Sequence, residues 1–217
     1  MYGASEFSDL GDLSHLYCGT IDVGKANKLT RLQIGNQSEG YKNNNLKSLS
    51  VGANKLLRYI DISNCSALTN SLRLDECPNI QEIHAKGSSI EGLSLPQAGY
   101  LKKLHLPRTI KALELKNQTQ LEEYSCEGYS ALSTLYLDNC PKINELQILG
   151  SAENLTRVSL LGVNWSLEKA NILNNLLDKN VKGDNGGASL LPYPYITGNC
   201  HIGLVSEEEL SRFENCF

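Results

Sequence analysis

Leu101-Lys102-Lys103-Leu104-His105-Leu106 is followed, nine residues on, by Ile110-Lys111-Ala112-Leu113-Glu114-Leu115. Both stretches have the form L-x-x-L-x-L. The last two apolar positions in each are separated by one polar residue, which is the period of a strand with one buried face. Working outward from this stretch, the same pair recurs about every eleven residues, as Leu32/Ile34, Leu49/Val51, Ile60/Ile62, Leu72/Leu74, Ile83/Ala85, Leu93/Leu95, Leu104/Leu106, Leu113/Leu115, Tyr124/Cys126, Leu135/Leu137, Leu146/Ile148 and Val158/Leu160. A third apolar residue stands three positions before most pairs, at Leu57, Ile80, Ile90, Leu101, Ile110, Leu121, Leu132, Ile143 and Leu155. A unit this short cannot bury its own apolar edge and must stack on a neighbour, so the chain is expected to be a solenoid.

Alternate pairs fall into two series. The first begins at 32, 60, 83, 104, 124 and 146, and the second at 49, 72, 93, 113, 135 and 158. Apart from the first step of 28, successive members of a series lie 20–23 residues apart, within the leucine-rich range. One coil therefore crosses two faces and places a strand on each, with no room for a helix between the pairs. The expected fold is a mostly β solenoid of leucine-rich repeat form, with about six coils over residues 29–163.

A bare terminal coil would expose core and strand edges, so caps are expected at both ends. Residues 1–28, with Phe7, Leu10, Leu13, Leu16, Tyr17 and Ile21 among Asp and Gly turns, are expected to form the N-terminal cap. From Trp165 the period changes. Ser166 is an N-cap candidate, and apolar residues at 167, 170, 173, 176 and 177 mark one helical face. Tyr195–Gly203 has the pattern of a strand, and Ser206-Glu-Glu-Glu209 forms a capping box ahead of a last helix carrying Leu210 and Phe213. Residues 164–217 are thus expected to be a helix–strand–helix cap, continuous with the solenoid as one domain.

Composition narrows the function. The net charge is −4 with the signs interspersed, and no run of Lys or Arg forms a basic stripe, which argues against nucleic acid as a main partner. No apolar run is long enough for a membrane span, and no basic region followed by an apolar core opens the chain as a secretory signal would. There is no G-x-S-x-G, no H-E-x-x-H and no glycine-rich phosphate loop ahead of a helix, so no enzymatic activity and no cofactor are expected.

The seven cysteines invite a disulfide or metal reading, but no C-x-x-C occurs and the count is odd. Cys65, Cys77 and Cys140 each follow the second apolar residue of a pair by three, an inward position, and Cys126 occupies a core slot of a pair. These four are expected to be small buried thiols. Reduced thiols suit a bacterial cytoplasm.

What remains is surface. Residues flanking a core pair point outward, so the first series displays Tyr59, Asp61, Glu82, His84, Lys103, His105 and Glu123, together with Lys86, Glu145 and Gln147. The second displays mostly small groups, Ser48, Ser50, Ser71, Gly92, Ser94, Ala112 and Thr134, with Arg73, Glu114 and Tyr136 as exceptions. The first face is therefore the candidate binding surface for a protein or glycan, against the plainer reading of a solvated polar face. His84 and His105 stand one coil apart, about 5 Å by strand spacing. As exposed histidines with no arranged carboxylate, they are expected to hold no metal.

Gly11-Asp-Leu-Ser14, Lys55-Leu-Leu-Arg-Tyr-Ile-Asp-Ile-Ser-Asn-Cys65, Leu104-His-Leu-Pro107, Asn164-Trp165 and Thr197-Gly-Asn-Cys-His-Ile202 resemble leucine-rich repeat segments of large virion or tail-associated proteins of tailed phages and prophages of gut bacteria. The resemblance covers nearly the whole chain. It implies a place in the virion, contact with the host surface, and further modules flanking this one. It brings no catalytic residues. Two other classes stand beside this expectation: a purely structural spacer between modules, and a bacterial leucine-rich repeat protein of the cell surface or cytoplasm that binds another protein.

Overall fold

The computed structural model describes residues 9–13, 16, 18–38, 40–97, 99–136, 139–140, 154, 157–159 and 195–196. Over these the protein is a parallel β-solenoid, and none of the described residues is helical. Strands are numbered in chain order. The first sheet stacks β1 (Asp9–Asp12), β3 (Arg31–Gln33), β5 (Tyr59–Asp61), β7 (Glu82–His84), β9 (Lys103–Leu106) and β11 (Glu123–Cys126). On the second face β2 (Thr20–Asp22) pairs with β4 (Ser48–Ser50). Beyond them β6 (Leu72–Arg73), β8 (Gly92–Ser94), β10 (Ala112–Glu114), β12 (Thr134–Tyr136), β13 (Arg157–Ser159) and β14 (Tyr195–Ile196) form one ladder. The chain thus alternates between sheets, one strand in each per coil, as the two interleaved series require.

The register follows the apolar pattern residue for residue. Leu32 pairs with Ile60, Ile60 with Ile83, Ile83 with Leu104 and Leu104 with Tyr124, which makes one inward row. On the second sheet Leu72, Leu93, Leu113 and Leu135 make the other. Every predicted pair from Leu32/Ile34 to Leu113/Leu115 is buried, apart from the half-buried Leu95. Leu57, Ile80, Ile90, Leu101, Ile110, Leu121 and Leu132, at the third position of the motif, are buried as well. Such a register cannot slip by one residue without turning the whole apolar set outward.

The coil corners are held by inward donors. The position three residues after the second apolar residue is buried in coil after coil, as Ala26, Asn54, Cys65, Cys77, Ser88, Gln118, Tyr129 and Cys140. A turn inside a solenoid leaves carbonyls facing the core, and a buried carbonyl needs a donor. Asn54 Nδ2 donates to Val23 O, Cys77 Sγ to Gly52 O, Ser88 Oγ to Ala85 O, Gln118 Nε2 to Pro96 O and Cys140 Sγ to Leu115 O. Cys65, Cys77 and Cys140 are buried as expected, whereas Cys126 is only half-buried, and Cys18, Cys65, Cys77 and Cys126 form no disulfide. Burial pushes the Cys65 thiol up to about 12, with Asp61 adding to the effect.

Coils approach closely at Gly35, where a Cβ would lie 2.2 Å from Ser63 N, so any side chain there would force the two backbones apart. The long first step of 28 residues, Arg31 to Tyr59, is taken up by a loop that Tyr41 ties down, its hydroxyl donating to Ile34 O.

Two features depart from expectation. Residues 9–12 and 20–22, within the stretch expected as an N-terminal cap, instead continue the solenoid, with β1 pairing parallel to β3 and β2 to β4. The signal was Ile21/Val23, a pair of the same form whose two residues are both buried. The second face is also interrupted between β4 and β6, where the Asn70 side-chain amide donates to Leu49 O, a carbonyl on the side facing the next coil. The Leu146/Ile148 pair and the C-terminal cap lie outside the described residues, save that Tyr195–Ile196 is a strand parallel to β13.

Candidate functional site

On the first sheet the outward residues of successive strands stack into two rows. One runs Arg31, Tyr59, Glu82, Lys103, Glu123, and the other Gln33, Asp61, His84, His105, Ser125. Parallel pairing in register brings identical strand positions together, so a choice made in one coil meets its counterpart in the next. All seven predicted residues, Tyr59, Asp61, Glu82, His84, Lys103, His105 and Glu123, lie in these rows.

They are joined to one another. Lys103 Nζ lies 4.0 Å from Glu82 Oε2 and 3.7 Å from Glu123 Oε2, so it bridges carboxylates on both neighbouring coils. His105 Nε2 is 2.9 Å from Glu123 Oε1, and His84 Nε2 is 3.4 Å from Glu82 Oε2. The two imidazoles meet edge to face with Nδ1 atoms 3.2 Å apart. The Tyr59 ring lies 5.2 Å from that of His84, and the Arg31 guanidinium sits 3.6 Å above the Tyr59 ring as a cation–π partner. Arg31 also donates to Gln33 Oε1.

Two expectations for this face need correcting. Asp61 and His84 point to the outward side but are only 2% and 6% exposed. Asp61 is buried because its oxygens are in use: Oδ1 accepts the Ser63 N–H at 2.8 Å, and Oδ2 accepts Tyr59 O–H and the Gln37 amide. The histidines do have arranged carboxylates, one behind each ring. Sequence spacing placed Glu82 and Glu123 on the face but could not show side chains folding along the sheet onto a histidine. Burial raises the Tyr59 phenol above its ordinary range, and the Asp61 charge adds to that. Lys103 and Glu123 keep 43% and 52% of their side-chain surface and form the accessible crest.

The second sheet offers a different surface. Ser71, Gly92 and Ala112 leave a depression across β8 and β10, a groove of about 300 Å³ rimmed by Gln97, Glu114 and Lys116. That is the low end of the range for ligand pockets. Among the small groups of the second series the sequence pointed to no site, although a row of small groups bounded by long ones is itself the signal of a groove. Beside it Lys116 lies 5.8 Å from the Tyr136 ring centroid, and Arg73 pairs with Asp75.

Among the described residues no helix is long and apolar enough to cross a membrane. No family model matches the chain, and no curated protein is significantly similar to it.

Proposed function

We propose that this chain is a non-catalytic interaction module of a virion or tail-associated protein, docking a protein through the crest of its first sheet. The observation that carries the reading is the continuous row Arg31, Tyr59, Glu82, Lys103, Glu123, which presents an aromatic ring and alternating charges over neighbouring coils. Such a row gives a partner a ruler of fixed spacing, and complementary charges set register and encounter rate more than raw affinity. Repeat solenoids use long sheet surfaces in this way. The virion setting, and the leucine-rich repeat assignment with it, are supported by the sequence resemblance, and the absence of catalysis by the lack of any catalytic motif.

The second reading is a spacer, favoured by the mutual pairing of the ladder: Lys103, both histidines, Tyr59 and Asp61 already have partners within the chain. One experiment separates the two. Purified virions and host envelope fractions are titrated over immobilised chain in three forms: wild type, Lys103→Glu combined with Glu123→Lys, and Ala112→Trp. The charge exchange keeps the 103–123 pair and inverts the crest, while giving up the Lys103–Glu82 contact and the carboxylate beside His105. With the fold verified by circular dichroism, binding should fall at least tenfold while Ala112→Trp binds as wild type. Loss confined to Ala112→Trp would move the site to the groove. Failure of wild type to bind either fraction would leave the spacer as the better account.

A further inference from the structure

The contact between His84 and His105 is chemically incomplete as two neutral rings. Each Nε2 faces a carboxylate oxygen, Glu82 Oε2 at 3.4 Å and Glu123 Oε1 at 2.9 Å. An ionised carboxylate only accepts, so each Nε2 carries the ring proton. A neutral imidazole protonated at Nε2 has a bare lone pair at Nδ1, and the two Nδ1 atoms meet at 3.2 Å. Two acceptors at that distance repel each other unless a cation lies between them.

We propose that His84 Nδ1 and His105 Nδ1 form a binding site for one divalent transition-metal ion of the zinc, nickel and copper class, clasping adjacent coils of the first sheet. Three features support this. Two metal–nitrogen bonds of roughly 2.0–2.1 Å span about 3.3 Å at a tetrahedral angle and about 2.9 Å at a right angle, and the observed separation lies between. A carboxylate behind each imidazole is the arrangement that fixes the tautomer and orientation of metal-bound histidines. The carboxylates of Asp61, Glu82 and Glu123 outnumber the two cations of the same rows, Lys103 and Arg31, so the surroundings favour added positive charge. Imidazole donors select this class of ion over magnesium or calcium. Among the described residues no group of three or more His, Cys, Asp or Glu side chains gathers to hold an ion, so the two nitrogens are the protein's ligands and water completes the shell. The site stands whether or not the crest binds a partner.

The test uses the full chain, stripped with chelator and titrated with Ni²⁺ by calorimetry, beside two-bond ¹H–¹⁵N spectra of the imidazoles. The expected result is one ion per chain with a micromolar Kd. The metal-free spectra should show Nε2–H on both rings, and the Nδ1 resonances of His84 and His105 should be the first to broaden. His105→Gln, at the more exposed ring, should abolish uptake, and Glu123→Gln should weaken it by about tenfold through its positioning role. Circular dichroism of each variant establishes that the fold is kept. A proton shared between the two Nδ1 atoms with no uptake below about 1 mM would overturn the proposal, and so would unchanged binding in a folded His105→Gln chain.

Discussion

The two faces of the solenoid are built on one core and turn different chemistry outward. On the first sheet, long polar side chains at matched positions reach across the 4.7–4.9 Å between strands and satisfy one another, so that even a carboxylate and an imidazole become buried. On the second, the matched positions are Ser71, Gly92 and Ala112, too short to reach anything, and the result is a groove. In a stacked parallel architecture every outward choice is repeated along the stack. Side-chain length therefore decides whether a face knits itself together or is left open. The comparison also separates stability from recognition: the ladder contributes to holding coils together, and its unburied crest and the opposite groove are what a partner could meet.

The widest effect tests whether the core is shared. Leu106 and Leu113 lie under opposite sheets and are each about 1% exposed. Truncating either to Ala should cost about 2–5 kcal/mol in denaturant titration. A cost below about 1 kcal/mol for one of them would mean that its sheet is not packed on the common core.

The next effect concerns the buried thiols behind the two sheets, Cys65 after β5 and Cys77 after β6, both raised by burial. A thiol held protonated in the fold but free to ionise when unfolded contributes stability that is complete below its ordinary range and is lost as pH rises. For Cys65 the window runs from roughly pH 9 to about 12, with a slope of about 1.4 kcal/mol per pH unit. Cys65→Ser should flatten the alkaline limb of the stability curve more than Cys77→Ser does, and an unchanged limb in both would sink the assignment. Under native conditions both thiols should react slowly with a thiol reagent.

Asp61→Ala then probes the ladder directly. It leaves the Ser63 N–H, the Gln37 amide and the Tyr59 hydroxyl without their acceptor, which should cost about 1–3 kcal/mol. Ser50→Ala at an exposed site on the other face should stay within about 0.5 kcal/mol of wild type. Equal effects would erase the distinction between a knitted face and an open one. A comparably small change is expected from exchanging Lys103 and Glu123, because the exposed contacts it breaks, to Glu82 and His105, contribute about 0.2–1 kcal/mol each. A larger loss of thermal stability would show that the crest is structural and unsuited to docking.

The amino-acid sequence by itself determined the solenoid, its two strand series, their register and the inward thiols. It could do so because alternation along a strand and recurrence between coils are both one-dimensional patterns, and a parallel stack copies them into space without rearrangement. The first N-terminal coil was legible in Ile21/Val23 but hidden by the polar and glycine residues around it, which read equally well as a cap. Membership of the first outward face was legible too, since all seven residues share two strand positions. Tertiary structure alone decided what those residues do there: whether Glu82 and Glu123 fold along the sheet onto the histidines, whether Tyr59 and Gln37 cover Asp61, and whether small residues on three coils align into a groove. Each of these depends on side-chain rotamers and on the spacing between coils, and neither quantity is set by the order of residues along the chain.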